Sequence, residues 1–438
     1  MKPLTYENGR RSRSLGAEPE PAQQPPPIKP DGLRFYFRMI WALTALTALV
    51  LLWYRIRGVP LLEAQLWSEG PDRFGDLWHY HALFQYLHTS AFFTSQDRFA
   101  YPAPLAVIYA WLYSFGERTH LVFNLLLASS AFLSAALFFH LLRTHRVATR
   151  NACALTLTLL LTSYPWHTLY DRGNLELFVY IGLAAGVWAY LRNRPMLAAV
   201  LWGCTGALKL YPLVVLLVLL HRKTLWAFVV GACSGAATLL ASCWYVGPTV
   251  VAAMMGSVHG VAGFLGHYAG SARRSELNQD HTILGAIKEV LSLNMLHLGQ
   301  NWPHLGMAYE ATVLIVAPVI YLRWMRRLPL LNQLCLLLIA LELLPPVSYD
   351  YTLIHSYLVV GIVTAAYLAA IQRGEVFPQA KTFFAAFAVL ATSQTWIELR
   401  GMRVNGILKC AALLLICLLL LKIPLTIHLK AEGPATVK

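Results

Sequence analysis

The chain alternates long apolar runs with short polar islands. Stretches near 36–54, 119–142, 152–168, 175–191, 224–246, 305–322, 330–345, 352–371, 380–397 and 405–427 are apolar along most of their length. Most approach or exceed the roughly 20 residues that carry a helix across a hydrocarbon core. Backbone facing lipid must satisfy its own hydrogen bonds, and the short-period alternation of a barrel is missing, so helix is the expected form. Between Arg194 and Arg222 the run is broken by Lys209 and Pro212. Proline removes a donor and clashes with the preceding turn, so two half-spans meeting at the break are expected. The prediction is an all-α, polytopic transmembrane helix bundle of about ten to twelve spans.

Shorter patterns refine this. From Asp76 to Leu87, helical spacing sets Leu77, Tyr80, Phe84 and Leu87 on one face and Trp78, His81 and Gln85 on another. This predicts an amphipathic, aromatic-rich helix lying in the membrane interface. Pro102 to Phe115 is apolar but short, which predicts a re-entrant or interfacial segment. Residues 1–32 are polar, Arg-rich at the start (Arg10, Arg11, Arg13) and Pro-rich at the end, as expected of a disordered tail. Residues 33–430 then form one integral-membrane domain with a first loop at 55–118, and 431–438 a short tail.

Composition agrees: 57% of the 438 residues are hydrophobic and only 13% charged, and the mean hydropathy of +0.53 excludes a soluble globular chain. A net charge of +14 would suggest nucleic acid in a soluble protein. Here it reflects topology instead, since Lys and Arg gather in cytoplasmic loops, and no nucleic-acid partner is expected. The basic clusters are Arg143/Arg146/Arg150, Arg192/Arg194, Arg222/Lys223, Arg323/Arg326/Arg327 and Lys422/Lys430. Placing them inside turns 55–118, 169–174, 209–212, 246–304, 346–351 and 398–404 outward. The seven cysteines (153, 204, 233, 243, 335, 410, 417) lie in or beside apolar runs without a Cys-x-x-Cys pair. They read as packing residues, with neither zinc nor a disulfide framework indicated.

All five polar islands fall in these outward segments: Gly75-Asp76, Asp171 to Asn174, Lys209 to Pro212, Asn278 to Asp280 and Ser348 to Asp350. Polar groups near lipid are costly, so their one-sidedness points to a working site. Asp76 reads as a helix N-cap or as a general base at the membrane surface, and the two roles are compatible. Gly173-Asn174 before a span, with Glu176 a turn in, can be a turn alone. Lys209 needs a partner or a polar cavity, unless it snorkels to the interface. Arg273 and Arg274 stand on the side that cations avoid, as phosphate ligands or as ordinary loop charges. Asp350 can cap the following span, with His355 deeper in. His79, His81, His88 and His120 lack metal-ligand spacing, and no phosphate loop, dinucleotide fingerprint or nucleophile elbow occurs. Neither metal nor cofactor is expected.

Five local patterns in order carry a family resemblance. They are Gly75-Asp76; Phe99-Ala-Tyr101-Pro102-Ala-Pro104-Leu105; Arg172-Gly-Asn174-Leu-Glu176 followed by Gly206-Ala-Leu-Lys209-Leu-Tyr211-Pro212; Asn278-Gln279; and Pro346-Val-Ser348-Tyr349-Asp350-Tyr351. Together they resemble glycosyltransferase family 87, membrane enzymes of the GT-C type that use polyprenyl-phosphate sugars and include mannosyltransferases. Asp280 stands where that family commonly has serine, and Tyr351 where it has histidine, which weakens any role for an imidazole there and leaves His355 as a spatial substitute. The resemblance implies inverting transfer of a hexose, mannose by preference, from a polyprenyl-phosphate sugar to a glycan or glycolipid. It implies a site on the noncytoplasmic face of a bacterial inner membrane and no cofactor. Asp76 would be catalytic, Arg172, Asn174, Lys209, Arg273 and Arg274 would hold the donor phosphate, and Tyr101, Glu176, Tyr211, Asn278, Gln279, Asp350 and His355 would complete the site. The competing class is a polytopic transporter or lipid flippase. The break within 196–220 fits one, but the other half shows no matching break.

Overall fold

The computed structural model of the protein describes residues 30–58, 73–94, 99–221, 223–272, 274–293 and 301–426. Most of the N-terminal tail, the C-terminal tail and Arg273 lie outside these residues. Among the described residues, seven helices are long and apolar enough to cross a membrane: Asp31–Ile56, Gly116–Thr144, Leu225–Val246, Val250–Tyr268, Trp302–Arg327, Asp350–Gln372 and Asn405–Lys422. Four shorter apolar helices, Ala103–Tyr113, Glu176–Leu191, Leu330–Leu343 and Ala380–Ala391, accompany them. The only strands described are the two-residue pair Glu398–Leu399 and Met402–Arg403. The chain is a multi-pass, all-α integral membrane protein, as the apolar runs predict.

The outer helices keep apolar side chains on the surface, as lipid contact requires: Leu49 is 64% exposed, Phe132 70% and Leu314 75%. Inside, one core gathers Trp202, Leu334, Leu338, Val363, Phe383 and Phe387. A second core is largely aromatic and surrounds the turn bearing Asp76, with Tyr80, Phe92, Phe99, Tyr109 and Phe123. Helices Pro195–Lys209 and Leu225–Val246 touch backbone to backbone. A Cβ on Gly203 would lie 2.0 Å from the Gly231 carbonyl oxygen, and one on Gly235 2.9 Å from that of Gly203. In lipid such close approach supplies the packing that the hydrophobic effect does not.

The predicted half-spans are present. Pro195–Lys209 ends at Leu210, whose φ of +63° turns the chain, and Tyr211–Leu219 continues as a 3₁₀ helix. Elsewhere the structure departs from expectation. Residues 76–87 do not form one amphipathic helix: a single turn at Gly75–Trp78 gives way to the 3₁₀ helix His81–Tyr86. The Tyr80 ring, packed 4.9 Å from Phe99 and 5.7 Å from Tyr109, fixes that bend, and the Trp-His-Tyr-His stretch has weak helix propensity to oppose it. The two predicted faces survive in part, with Leu77 and Tyr80 buried while His81 and Gln85 are exposed.

The expected span at 152–168 is likewise divided. Helix Thr149–Thr162 stops at Ser163, whose Oγ caps the next helix, Tyr164–Arg172, by accepting from the Trp166 amide. The stretch 246–304, expected to be loop, contains the helix Val250–Ala269. Its glycines seat it on the first loop: a Cβ on Gly256 would meet the Phe93 ring at 2.3 Å, and one on Gly260 the Phe99 carbonyl at 2.1 Å.

Candidate active site

Asp76 lies inside the Gly75–Trp78 turn; the N-cap position belongs to Phe74, at φ +57°. Two tyrosines from the Ala103–Tyr113 helix pin the turn, Tyr109 donating to the Asp76 carbonyl at 2.9 Å and Tyr113 to that of Leu77. On the other side the Phe74 amide donates to the Asp171 carbonyl at 2.7 Å. Gly173 closes the Tyr164–Arg172 helix with φ +63°. A Cβ there would sit 2.9 Å from that of Leu77, so glycine allows both the turn and the close approach. This contact brings Arg172 and Asn174 onto Asp76.

The Asp76 carboxylate accepts from Arg172 Nη2 at 2.5 Å on one oxygen and from Asn174 Nδ2 at 2.7 Å on the other. These side chains are partly open: 18% of Asp76 and 40% of Arg172 remain exposed. Asn174 extends the network inward, its Oδ1 accepting from the Glu176 amide at 2.8 Å and from Lys209 Nζ at 3.2 Å. Lys209 Nζ lies 2.7 Å from Glu176 Oε2, while Glu176 Oε1 receives His355 Nε2 at 2.7 Å and the Tyr211 hydroxyl.

Lys209 therefore does not snorkel. Its side chain is 9% exposed beside a fully buried carboxylate, and the Tyr101 and Tyr351 rings face its ammonium at 5.3 and 5.9 Å. Cation–π attraction and the ion pair hold it where the helix ends at Leu210. Desolvating this pair is expensive, and the added hydrogen bonds from Asn174, Tyr211 and His355 are what make it tolerable.

The structure thus unites Asp76, Arg172, Asn174, Glu176, Lys209, Tyr211 and His355, with Tyr101 against them. It places Asp350 and Asn278 in a second group. The Asp350 carboxylate lies 3.1 Å from Lys409 Nζ and 3.7 Å from His281, and accepts from Asn405 at 2.9 Å. Asn405 also donates to the Asn278 carbonyl at 3.0 Å. Asp350 makes no side-chain cap to its helix. Asp280 accepts from the amides of Thr282 and Ser348 at 3.1 and 3.2 Å, bracing the neighbouring turn. Burial pushes the Asp280 carboxyl up from its ordinary value, and the Thr282 bonds oppose the shift.

His355 and Tyr351 both reach the Glu176–Lys209 pair. His355 is fully buried with Nε2 on Glu176, while the Tyr351 ring itself faces Lys209. Gln279 follows Asn278 in the same turn, its amide donating to the Glu276 carbonyl at 3.1 Å. Arg274 opens the short helix Arg274–Leu277, and Arg273 is outside the described residues. Among the described residues no group of three or more His, Cys, Asp or Glu could hold a metal ion.

The sequence reading missed four contributors: Tyr109, Tyr113, Asn405 and Lys409. Tyr109 and Tyr113 share one face at i, i+4 spacing. Lys409 lies inside the last apolar run, where a lysine needs a partner. Both signals were available in the sequence.

Apolar helices around a carboxylate–cation network make this an integral membrane protein with a polar chemical site at one end of its bundle. The model of glycosyltransferase family 87 matches residues 99–345, more than half of the chain, and the chain belongs to that family. It is a membrane-embedded glycosyltransferase. No curated protein and no solved structure matches the chain. The matched region holds Arg172, Asn174, Glu176, Lys209 and Tyr211 but not Asp76.

Proposed function

We propose that the protein transfers a hexose, mannose by preference, from a polyprenyl-phosphate sugar to a hydroxyl of a glycan or glycolipid on the noncytoplasmic face, with inversion. The observation that carries this reading is the placement of Asp76: a partly open carboxylate bonded to Arg172 and joined through Asn174 to buried Lys209. Each Asp76 oxygen accepts one bond, and a carboxylate has about four lone-pair sites, so capacity remains for an incoming hydroxyl. Asp76 takes the acceptor proton as the hydroxyl oxygen attacks the anomeric carbon. The bond from that carbon to the phosphate oxygen breaks, and polyprenyl phosphate leaves with the electron pair. Arg172 and Lys209 offset the charge that develops on it.

The test is transfer from labelled polyprenyl-phosphate mannose in proteoliposomes, with the anomeric configuration of the product determined. Retention of configuration refutes the one-step mechanism. Movement of the donor across the bilayer without transfer would return the transporter reading.

A further inference from the structure

At the end of the bundle opposite Asp76, three connections border an open cavity. Helix Glu176–Leu191 starts in the Asp76 network and reaches Tyr190 about 20 Å away by its rise per residue. The cavity there has a volume of about 550 Å³ and is lined by Tyr190, His221, Lys223, Leu328, Leu330 and Gln333, among others. Gln333 is 1% exposed. Its Nε2 donates to the carbonyls of Arg326 at 3.3 Å and Leu328 at 2.7 Å. Those two bonds identify the other end of the amide as oxygen. That Oε1 is buried without a partner, and so is Nε2 of His221.

Two buried polar atoms at one cavity thus lack partners, whereas buried polar groups in proteins are normally satisfied. The exposed side chain of Lys223 stands at the rim. The connecting stretches 192–194, 220–224 and 323–329 carry seven further basic residues counting His221 and no acidic one, so the local field favours an anion. Leu328, Pro329 and Leu330 supply an apolar wall beside these polar groups.

We propose that this cavity binds a phosphodiester whose headgroup carries a free hydroxyl. Lys223 meets the phosphate, and Gln333 Oε1 accepts from the headgroup hydroxyl. Two sources share this chemistry, a hydroxylated anionic phospholipid and a water-soluble polyol phosphodiester. The proposal is independent of the donor chemistry at Asp76.

The test uses the full-length protein in detergent, with ligand retention followed by native mass spectrometry. The probes are short-chain phosphatidylglycerol, short-chain phosphatidylcholine and glycerophosphoglycerol, which has the headgroup without acyl chains. Phosphatidylglycerol should be retained in preference to phosphatidylcholine, and Lys223→Gln and Gln333→Leu should each weaken retention about tenfold. Lys223→Gln alters an exposed side chain and serves as the variant that leaves folding intact; sugar transfer, about 20 Å away along the bundle, should be retained in it. Binding of phosphatidylglycerol alone identifies a membrane lipid as the source, and comparable binding of glycerophosphoglycerol identifies the soluble one. Equal retention of both lipids without binding of glycerophosphoglycerol, or retention unchanged in both variants, overturns the proposal.

Discussion

Arg172 reaches back 96 positions in the sequence to set its Nη2 2.5 Å from the Asp76 carboxylate. The acceptor of this bond comes from a single helical turn, and its donor from the last residue of the helix packed against that turn. A candidate base and a candidate phosphate ligand therefore arrive as one unit, so substitutions at the two positions should act on the same displacement, one through the acceptor and the other through the leaving group.

Asp76→Asn keeps the shape of the side chain and removes its basicity. Sugar transfer should fall by about 10²–10⁴-fold while the protein stays monodisperse and donor binding persists. Transfer near the wild-type rate in correctly inserted Asp76→Asn protein would refute the base assignment.

Arg172→Ala should lower the turnover number by about 10²–10³-fold, as loss of one donor to developing charge typically does. Arg172→Lys should recover little, because a point charge does not reproduce the planar fork. Single-turnover assays at saturating donor give the comparison, and full activity in Arg172→Lys would remove the guanidinium from the chemistry.

Glu176 and Lys209 are a buried pair, and cutting one partner leaves a stranded charge. Lys209→Met should destabilise the protein by about 3–5 kcal/mol. Lys209→Met with Glu176→Gln should cost less than the sum of the two single changes. Thermal unfolding in detergent reads both, and simple additivity would mean that the two side chains are not coupled.

Glu289, on the Ile283–Leu293 helix outside the long spans, is pushed up from 4.5 to about 8 by burial, with the Asp280 and Asp350 carboxylates adding to the shift. The folded protein then binds a proton more tightly than the unfolded chain between those values. Stability is fully present below about pH 4.5 and declines as pH rises through about 8. Glu289→Gln should flatten the dependence of the melting temperature on pH across that window. An unchanged profile would show that this carboxyl does not drive it.

Gly203→Val should break the contact between Pro195–Lys209 and Leu225–Val246, since its Cβ would meet the Gly231 carbonyl oxygen at 2.0 Å. Backbone cannot yield as a flexible side chain can, so a loss of about 1–3 kcal/mol is expected, with reduced yield of folded protein. Wild-type stability in this variant would mean that the helices can separate freely.

The sequence made parts of this arrangement legible for stated reasons. Lys209 and Pro212 interrupt an apolar run, and a lysine there demands a partner, which proved to be Glu176. The reading of 246–304 as loop followed from placing the basic clusters inside; it could not show the helix Val250–Ala269, whose Gly256 and Gly260 pack against Phe93 and Phe99 only through the fold. Helical periodicity at 76–87 gave the faces but not the bend, which depends on ring packing around Tyr80 from positions 99 and 109. The division of the islands into two groups was not readable, because Lys409 and Asn405 reach Asp350 only through the fold.

The glycine contact also bears on motion. Helices joined backbone to backbone, with no side-chain layer between them, have little room to slide or rotate past each other. Lys209 ends one of these helices, Tyr211 opens the segment after it, and both hold Glu176. Those three residues form a stationary frame. Asp76 rides on a one-turn helix in the first loop, pinned by Tyr109 and Tyr113, so the carboxylate and the ammonium are held by separate parts of the fold.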